Sequence, residues 1–197
     1  MMQLEFTVED KGFEAALRSL DKPTARRVMK RALNDTANKA RTMLADKARE
    51  TYAVKKSGFK RNARLKRASG GNLAAYILVS GKANELKDFR VNPASYATGA
   101  ARPAVYRAKV LQAGGLKALR KPSGGKAFMV RFKSGHVTIA EREGKARLPI
   151  KTLYSPSNPA MVGARRVYGV LRPEIGSMLE KQVERSLNFE LSRGGGA

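Results

Sequence analysis

RLPIKTLYSPSNPAM, residues 147–161, decides the fold class, because it joins an apolar run to a proline-rich loop and to the start of a helical pattern. The run 148–154 predicts a strand, and its proline favours a strand beginning or an edge position. Two prolines in residues 155–159 fix the backbone angle φ locally. We expect the loop to be structural and to set the angle between this strand and the following helix. The residues assigned to it are Pro149, Pro156, Ser157, Pro159 and Met161.

Downstream of the loop, a helical pattern runs from about residue 160 to residue 191. Pro173 lies inside it and predicts a kink or a break near Arg172. We expect the glycine-rich end, residues 193–197, to be a disordered tail. The apolar stripe consists of Val170, Leu171, Ile175, Met178, Leu179, Val183, Leu187 and Leu191.

Upstream of the loop, two apolar runs flank a short turn. The runs are residues 127–132 and 136–140, and the turn between them contains Gly135. This pattern predicts a hairpin, and with the run 148–154 it predicts a three-stranded meander. Residues 73–79, LAAYILV, are apolar throughout and predict a strand that is buried on both faces or lies in the centre of a sheet.

The N-terminal part predicts one short strand and one long helix. Residues 4–8 alternate between apolar and polar, as a half-buried strand does. Asp21 and Pro23 are typical of a helix start. Residues 24–51 contain no Gly or Pro, and their apolar positions recur at helical spacing with many small residues.

These patterns predict an α+β fold. Long N-terminal and C-terminal helices pack on a small, mostly antiparallel sheet, with a long loop or insertion. We expect a single domain over residues 1–192, in which residues 81–123 form the extended insertion or loop and residues 54–67 a basic arm.

Positive charge is concentrated in the middle of the chain. Residues 51–140 contain 19 Lys and Arg against two acids, a net +17 out of +24 for the whole protein. Because self-repulsion opposes compaction, such a field favours a polyanionic partner, most often nucleic acid. Acidic protein partners and a plain solvated surface are the alternatives.

The densest basic stretch is residues 54–67, where seven of fourteen residues are basic and none is acidic. It predicts a short helix or an arm that is mobile in the free protein. We expect its cations to contact DNA phosphates without reading sequence, because few aromatic residues are available for stacking on bases. The predicted contact residues are Lys55, Lys56, Lys60, Arg61, Arg64, Lys66 and Arg67.

Several function classes receive no support from the sequence. The chain has no Cys, and its single His, His136, follows a turn. A metal site needs more ligands, and no nucleophile elbow accompanies the histidine. We therefore expect no enzymatic activity, no metal and no other cofactor. We also expect no membrane partner and no secretory signal, because the apolar stretches are too short.

Residues 144–161, GKARLPIKTLYSPSNPAM, carry a resemblance to a known family. They resemble the run R-L-P-I-x-x-L-x-G-P-S-x-P-x-M of the phage minor tail protein Z family, also described as tail completion proteins. Ser155 stands where glycine is common. The opening at residues 12–20 and the basic stretch after the long helix are also similar to the family, whereas residues 81–123 match it least.

This resemblance implies a structural virion protein of a long-tailed phage or prophage, made in the host cytoplasm. It implies a place at the head-proximal end of the tail, in a ring that is commonly six-fold and surrounds the DNA channel. The implied neighbours are tail terminator, tail tube or head–tail connector proteins, together with the genomic DNA. The alternative is a free, sequence-independent nucleic-acid-binding protein that needs no tail partners.

Overall fold

The computed structural model describes residues 1–6, 20–54, 59–120 and 125–194. It confirms the α+β class, with a long helix near each end, although the antiparallel strands form four small sheets rather than one. The helices are α1 Lys22–Thr51, α2 Phe59–Asn62, α3 Asn158–Gly163 and α4 Val170–Gly194. The strands are β1 Met2–Phe6, β2 Ala63–Lys66, β3 Ala75–Val79, β4 Asn84–Glu85, β5 Arg90–Asn92, β6 Arg107–Lys109, β7 Lys117–Ala118, β8 Phe128–Arg131, β9 Val137–Arg142, β10 Ile150–Thr152 and β11 Tyr154–Ser155.

Helix α1 begins where the sequence predicts. The Asp21 carboxylate accepts a hydrogen bond of 3.1 Å from the Thr24 N–H, and Pro23 occupies the first turn. Hydrogen bonding from Thr24 lowers the pKa of Asp21. The helix ends at Thr51, since Tyr52 is extended and forms a β-bridge elsewhere.

The small-residue face of α1 forms the centre of a helical cluster, the larger of two apolar cores. Ala32, Ala37 and Ala40 are almost fully buried, which lets α4 approach closely. Leu171 and Ile175 are the α4 residues that belong to this core. The C-terminal helix thus packs mainly on α1, and α1 in turn packs on β2 and β3.

The break in the C-terminal helical pattern does not lie near Arg172, where the sequence predicts it. The chain is extended at Ala164, then forms a π-helical turn over Arg165–Gly169, and α4 follows. Pro173 is the fourth residue of α4, close behind the wide turn, and the helix continues past it.

The two ends of the predicted apolar stripe are exposed, and the predicted tail is partly helical. Val170 is 58% exposed and Leu191 is 52% exposed, so neither belongs to the core. Arg193 lies in α4, where its guanidinium is 5.6 Å from the centroid of the Phe189 ring one turn earlier. A contact between residues four apart favours a helical turn. Residues 195–197 fall outside the described residues.

Strand β3 lies in the centre of the sheet β1-β3-β2, as residues 73–79 predict. The sequence predicts a short helix or a mobile arm over residues 54–67, and the described part contains the short helix α2, followed by β2. Phe59 is 1% exposed, and β2 pairs with β3 along its full length. Phe59 and Ala63 are both buried in the helical cluster, and these two anchors dock a stretch that its charge alone would leave in solvent.

The second core, here called the β cluster, lies beneath the meander β8-β9-β10 that the sequence predicts. The expected insertion or loop at residues 81–123 contributes to this core, because it contains β4 to β7 and buries Val91 and Tyr106. These strands have only two or three residues, too few for an alternating pattern to be recognised. Val110 packs against both clusters and joins them.

Candidate nucleic-acid interface

The outer face of the sheet β1-β3-β2 carries a first group of cations. Because successive strand residues point to opposite faces, the burial of Ala63 directs Arg64 and Lys66 to solvent, and both are exposed. The Lys66 ammonium lies 5.5 Å from the centroid of the Tyr76 ring on β3. This contact holds the alkyl chain on the sheet while the charge remains in water.

Side chains from α1 fix the end of β2. The Asn34 amide accepts a hydrogen bond of 2.8 Å from the Ala68 N–H and donates one of 3.2 Å to the Ala68 carbonyl. The Arg26 guanidinium donates a bond of 2.5 Å to the Gly70 carbonyl. Arg67, which is exposed, is therefore held at a defined position beside the other cations.

The acid on this face, Glu5, lies on β1 and is held by Tyr76. The Tyr76 hydroxyl donates a hydrogen bond of 3.2 Å to Oε1 of Glu5. Desolvation and the neighbouring carboxylate raise the pKa of Tyr76. Strand β3 therefore separates the acid from the cations of β2.

Of the seven contact residues predicted from the sequence, three have exposed side chains in the described part: Arg64 and Lys66 on β2, and Arg67 directly after it. Lys55 and Lys56 lie outside the described residues. Lys60 and Arg61 belong to α2, which leads directly into β2, and only their backbone is described.

A second group of cations was missed by sequence reasoning. Arg90 on β5 is directly opposite Lys109 on β6, and Arg107 lies diagonally across on the same face. The alternate residues Val91 and Ala108 are buried in the β cluster. Like charges placed opposite each other destabilise a strand pair, so this face favours an anion.

The sequence contains an alternating pattern at this second group of cations, but the pattern covers few residues. Arg90-x-Asn92 and Arg107-x-Lys109 each alternate over only three residues, inside a segment that reads as a loop. The structure orients Lys109 further, since its ammonium donates a hydrogen bond of 2.9 Å to the Gln112 carbonyl.

The acid Glu85 is engaged within the β region. Its carboxylate lies 2.9 Å from Nε2 of His136 and 3.2 Å from the Lys87 ammonium, which also donates to the Val137 carbonyl at 2.6 Å. Partial burial alone would raise the pKa of Glu85. The contact with the Lys87 ammonium and the charges of Lys87 and His136 help to outweigh this, so the pKa is lowered. This carboxylate therefore does little to neutralise the exposed cations.

His136 serves this polar contact and lies in no metal cluster. Across residues 1–6, 20–54, 59–120 and 125–194, no three His, Cys, Asp or Glu side chains are placed to hold a metal ion. None of the helices in those ranges has the length and apolar content of a membrane span.

The predicted structural loop connects β11 to α3. The Ser157 hydroxyl caps α3 by accepting a hydrogen bond of 3.3 Å from the Ala160 N–H. The Asn84 amide donates a bond of 2.7 Å to the Pro156 carbonyl and one of 3.3 Å to the Asn158 side chain. The loop is thereby tied to the short strand β4.

The five residues assigned to this loop do not all lie together. Pro159 follows the cap in the first turn of α3, and Met161 is completely buried in the helical cluster. Pro149 lies at the other end of β10, where its carbonyl accepts a hydrogen bond of 3.1 Å from the Glu143 N–H. Pro149 thus belongs to the β9–β10 turn.

Comparison with known proteins identifies the family. No curated protein and no solved structure gives a significant match. The family model described as prophage minor tail protein Z (GPZ) matches residues 11–193, nearly the whole chain. Proteins of this family are structural components of phage tails. The chain therefore belongs to the prophage minor tail protein Z family.

Proposed function

We propose that this tail protein is a tail completion protein at the head-proximal end of a long-tailed phage. It joins the tail to the head and forms a ring around the DNA channel, six-fold as the resemblance implies. Its neighbours are tail terminator, tail tube or head–tail connector proteins. Family membership supports a tail role, and the distribution of charge supports the position beside DNA.

The observation that carries this proposal is a basic surface with few acids beside it in the chain. Residues 51–140 contain two acids, and one of them, Glu85, is already engaged by Lys87 and His136. Twelve Lys and Arg side chains of this stretch are exposed: Arg64, Lys66, Arg67, Lys82, Arg90, Arg102, Arg107, Lys117, Arg120, Lys126, Arg131 and Lys133.

Contact with phosphates explains this surface better than base reading does. The cations lie on short strands and turns, and the described part of residues 51–140 presents no long helix to enter a groove. Binding through phosphates releases counterions and is insensitive to sequence. A ring that surrounds the genome end needs this kind of affinity, because it must hold whatever sequence lies there.

The salt dependence of duplex DNA binding tests the assignment. Replacing Arg64, Lys66 and Arg67 together by Gln should lower the log–log salt slope by about 0.9 for each phosphate that the protein no longer neutralises. The matched control replaces Arg165, Arg166 and Arg172, three exposed cations in and beside the π-helical turn, and should leave the slope nearly unchanged.

Two other outcomes would assign the surface differently. If the triple Gln variant keeps its slope but no longer enters particles, these cations dock on acidic neck or tail subunits. If the protein binds DNA with a steep slope but is absent from purified virions, it is a free nucleic-acid-binding protein. Either result would overturn the proposed DNA-channel role.

A further inference from the structure

Strand β10 forms an unpaired edge flanked by exposed apolar side chains. It is the last strand in the order β10-β9-β8, and its outer side makes no backbone hydrogen bond with any described residue. Leu148 before it is 66% exposed, and Tyr154 after it is 61% exposed. Such an edge is a template for another strand, and exposed apolar residues beside it mark a contact surface.

Strand β1 is a second edge strand, in a different sheet, and it carries the exposed acid Glu5. It is the outer strand of β1-β3-β2, and within the described ranges its outer side has no backbone partner. Strand β1 contains one acid, Glu5, which is exposed, and β10 contains one cation, Lys151, which is also exposed. Charge complementarity therefore favours pairing between these two edges.

We propose that β10 of one copy pairs antiparallel with β1 of a second copy, so that one sheet continues across the interface. This inference rests on the ring proposed above and identifies its subunit contact. Because the two edges belong to different sheets, the contact is heterologous, and each copy has one edge of each kind to offer. Repetition of the same contact produces a ring when the rotation between copies closes.

Side chains alternate between the two faces along both strands, and this alternation selects one register of pairing. Lys151 and Glu5 are both exposed, so placing them opposite each other keeps both charges on the solvent side. Tyr154 then lies opposite Met2, which gives its exposed ring an apolar neighbour. A slip of one residue would place Lys151 opposite the buried Leu4 and put the ammonium on the core side.

Lys151 also explains why β10 would pair with β1 rather than with β2 or with a second β10. A lysine in the middle of an edge strand discourages indiscriminate pairing. Opposite Glu5 it becomes favourable, whereas opposite β2 it would meet Arg64 and Lys66. Pairing of β10 with a second β10 would likewise bring two lysines together. The edge that carries Glu5 is therefore the partner that this strand selects.

Disulfide cross-linking tests the contact in assembled particles. The chain contains no Cys, so Glu5→Cys and Lys151→Cys together supply its only thiols. Residues directly opposite in an antiparallel pair have Cβ atoms about 4.5–5.5 Å apart, close to what a disulfide requires. We expect oxidised particles to give a ladder of covalent multimers on a non-reducing gel. The matched control combines Lys151→Cys with Arg64→Cys, which is exposed on the other edge strand of the same sheet, and should give no ladder.

The possible outcomes distinguish a failure of the proposed interface from a failure of the proposed ring. A ring seen by native mass spectrometry or electron microscopy, with no ladder from the Glu5–Lys151 cysteine pair, would overturn the interface and leave the ring. Equal ladders from both cysteine pairs would also overturn it. Absence of any ring would overturn the proposed assembly, and the interface with it. As an independent measurement, Lys151→Glu should reduce incorporation into particles, and adding Glu5→Lys should restore it.

Discussion

The helical and β clusters are built in different ways. The helical cluster is organised by two long helices, α1 of 30 residues and α4 of 25, whose apolar positions recur over many turns. The β cluster is enclosed by strands of two to six residues and joined by polar contacts such as that of Glu85. The long elements therefore supply most of the apolar burial, while the short ones form a surface on which positive charge is displayed.

The boundary between the two regions is also informative. Val54 bridges to Phe89 and the Ala53 N–H bonds to the Val110 carbonyl at 2.9 Å, so the chain leaving α1 adds directly to the β region. Val54 packs against the helical cluster, and Phe59 is buried in it. Apolar residues of the basic stretch therefore anchor its described parts on the helical cluster.

The largest effect is expected from removing Phe59, which tests whether the basic stretch is docked on the helical cluster. We expect Phe59→Ala to lower the free energy of unfolding by about 3–5 kcal/mol, because it leaves a cavity in the helical cluster. Chemical denaturation followed by circular dichroism measures this. Phe189→Ala, at a ring that is 40% exposed in α4, is the matched control and should cost much less. Equal small losses would mean that the basic stretch is not docked on the core.

The connection between the two regions can be weakened at the Ser157 cap. Ser157→Ala removes the hydrogen bond to the Ala160 N–H and should cost about 1 kcal/mol of stability. Pro156→Ala with Pro159→Ala should likewise lower stability or assembly, through greater freedom of the unfolded chain. Both changes should leave the affinity of the isolated protein for DNA nearly unchanged. Loss of DNA binding with normal assembly would assign the loop to the nucleic-acid surface.

The contribution of Glu85 should make the stability of the β region depend on pH, and this effect should be smaller than the preceding ones. The pKa of Glu85 is lowered in the folded protein, so its contribution to stability is present above the ordinary value of 4.5 and is lost as the pH falls through the folded value. Glu85→Gln should therefore lower the free energy of unfolding at neutral pH. It should also make that free energy fall less steeply below about pH 4.5. Denaturation midpoints at several pH values measure this, with Glu143→Gln as the control at an exposed glutamate in the β9–β10 turn. A parallel decline in both variants would contradict the role of the contact with Lys87 and His136.

The long elements could be predicted from the sequence because their patterns repeat. Asp21 and Pro23 mark the start of α1, and residues 73–79 predict the central strand of a sheet. The meander at β8, β9 and β10 follows from two apolar runs around a turn and a third run after it. In each case several residues point to the same element, so a single exception does not change the result.

The short elements could not be predicted, for two physical reasons. Strands such as β5 and β6 contain three residues, and their shape comes from the β cluster rather than from local pattern. The docking of β2 depends on contacts with β3 and with Asn34, which are distant in sequence. For the same reason local pattern does not single out Arg90 and Arg107, whereas charge density alone predicts Arg64, Lys66 and Arg67 as contact residues.

The most direct test of the central claim is an electron cryomicroscopy reconstruction of the head–tail junction of the virion without imposed symmetry. We expect a closed ring of this protein at the head-proximal end of the tail, six-fold by resemblance, with Arg64, Lys66 and Arg67 facing the DNA density. A single copy per tail, a position away from the junction, or these three side chains buried against acidic protein would contradict the account.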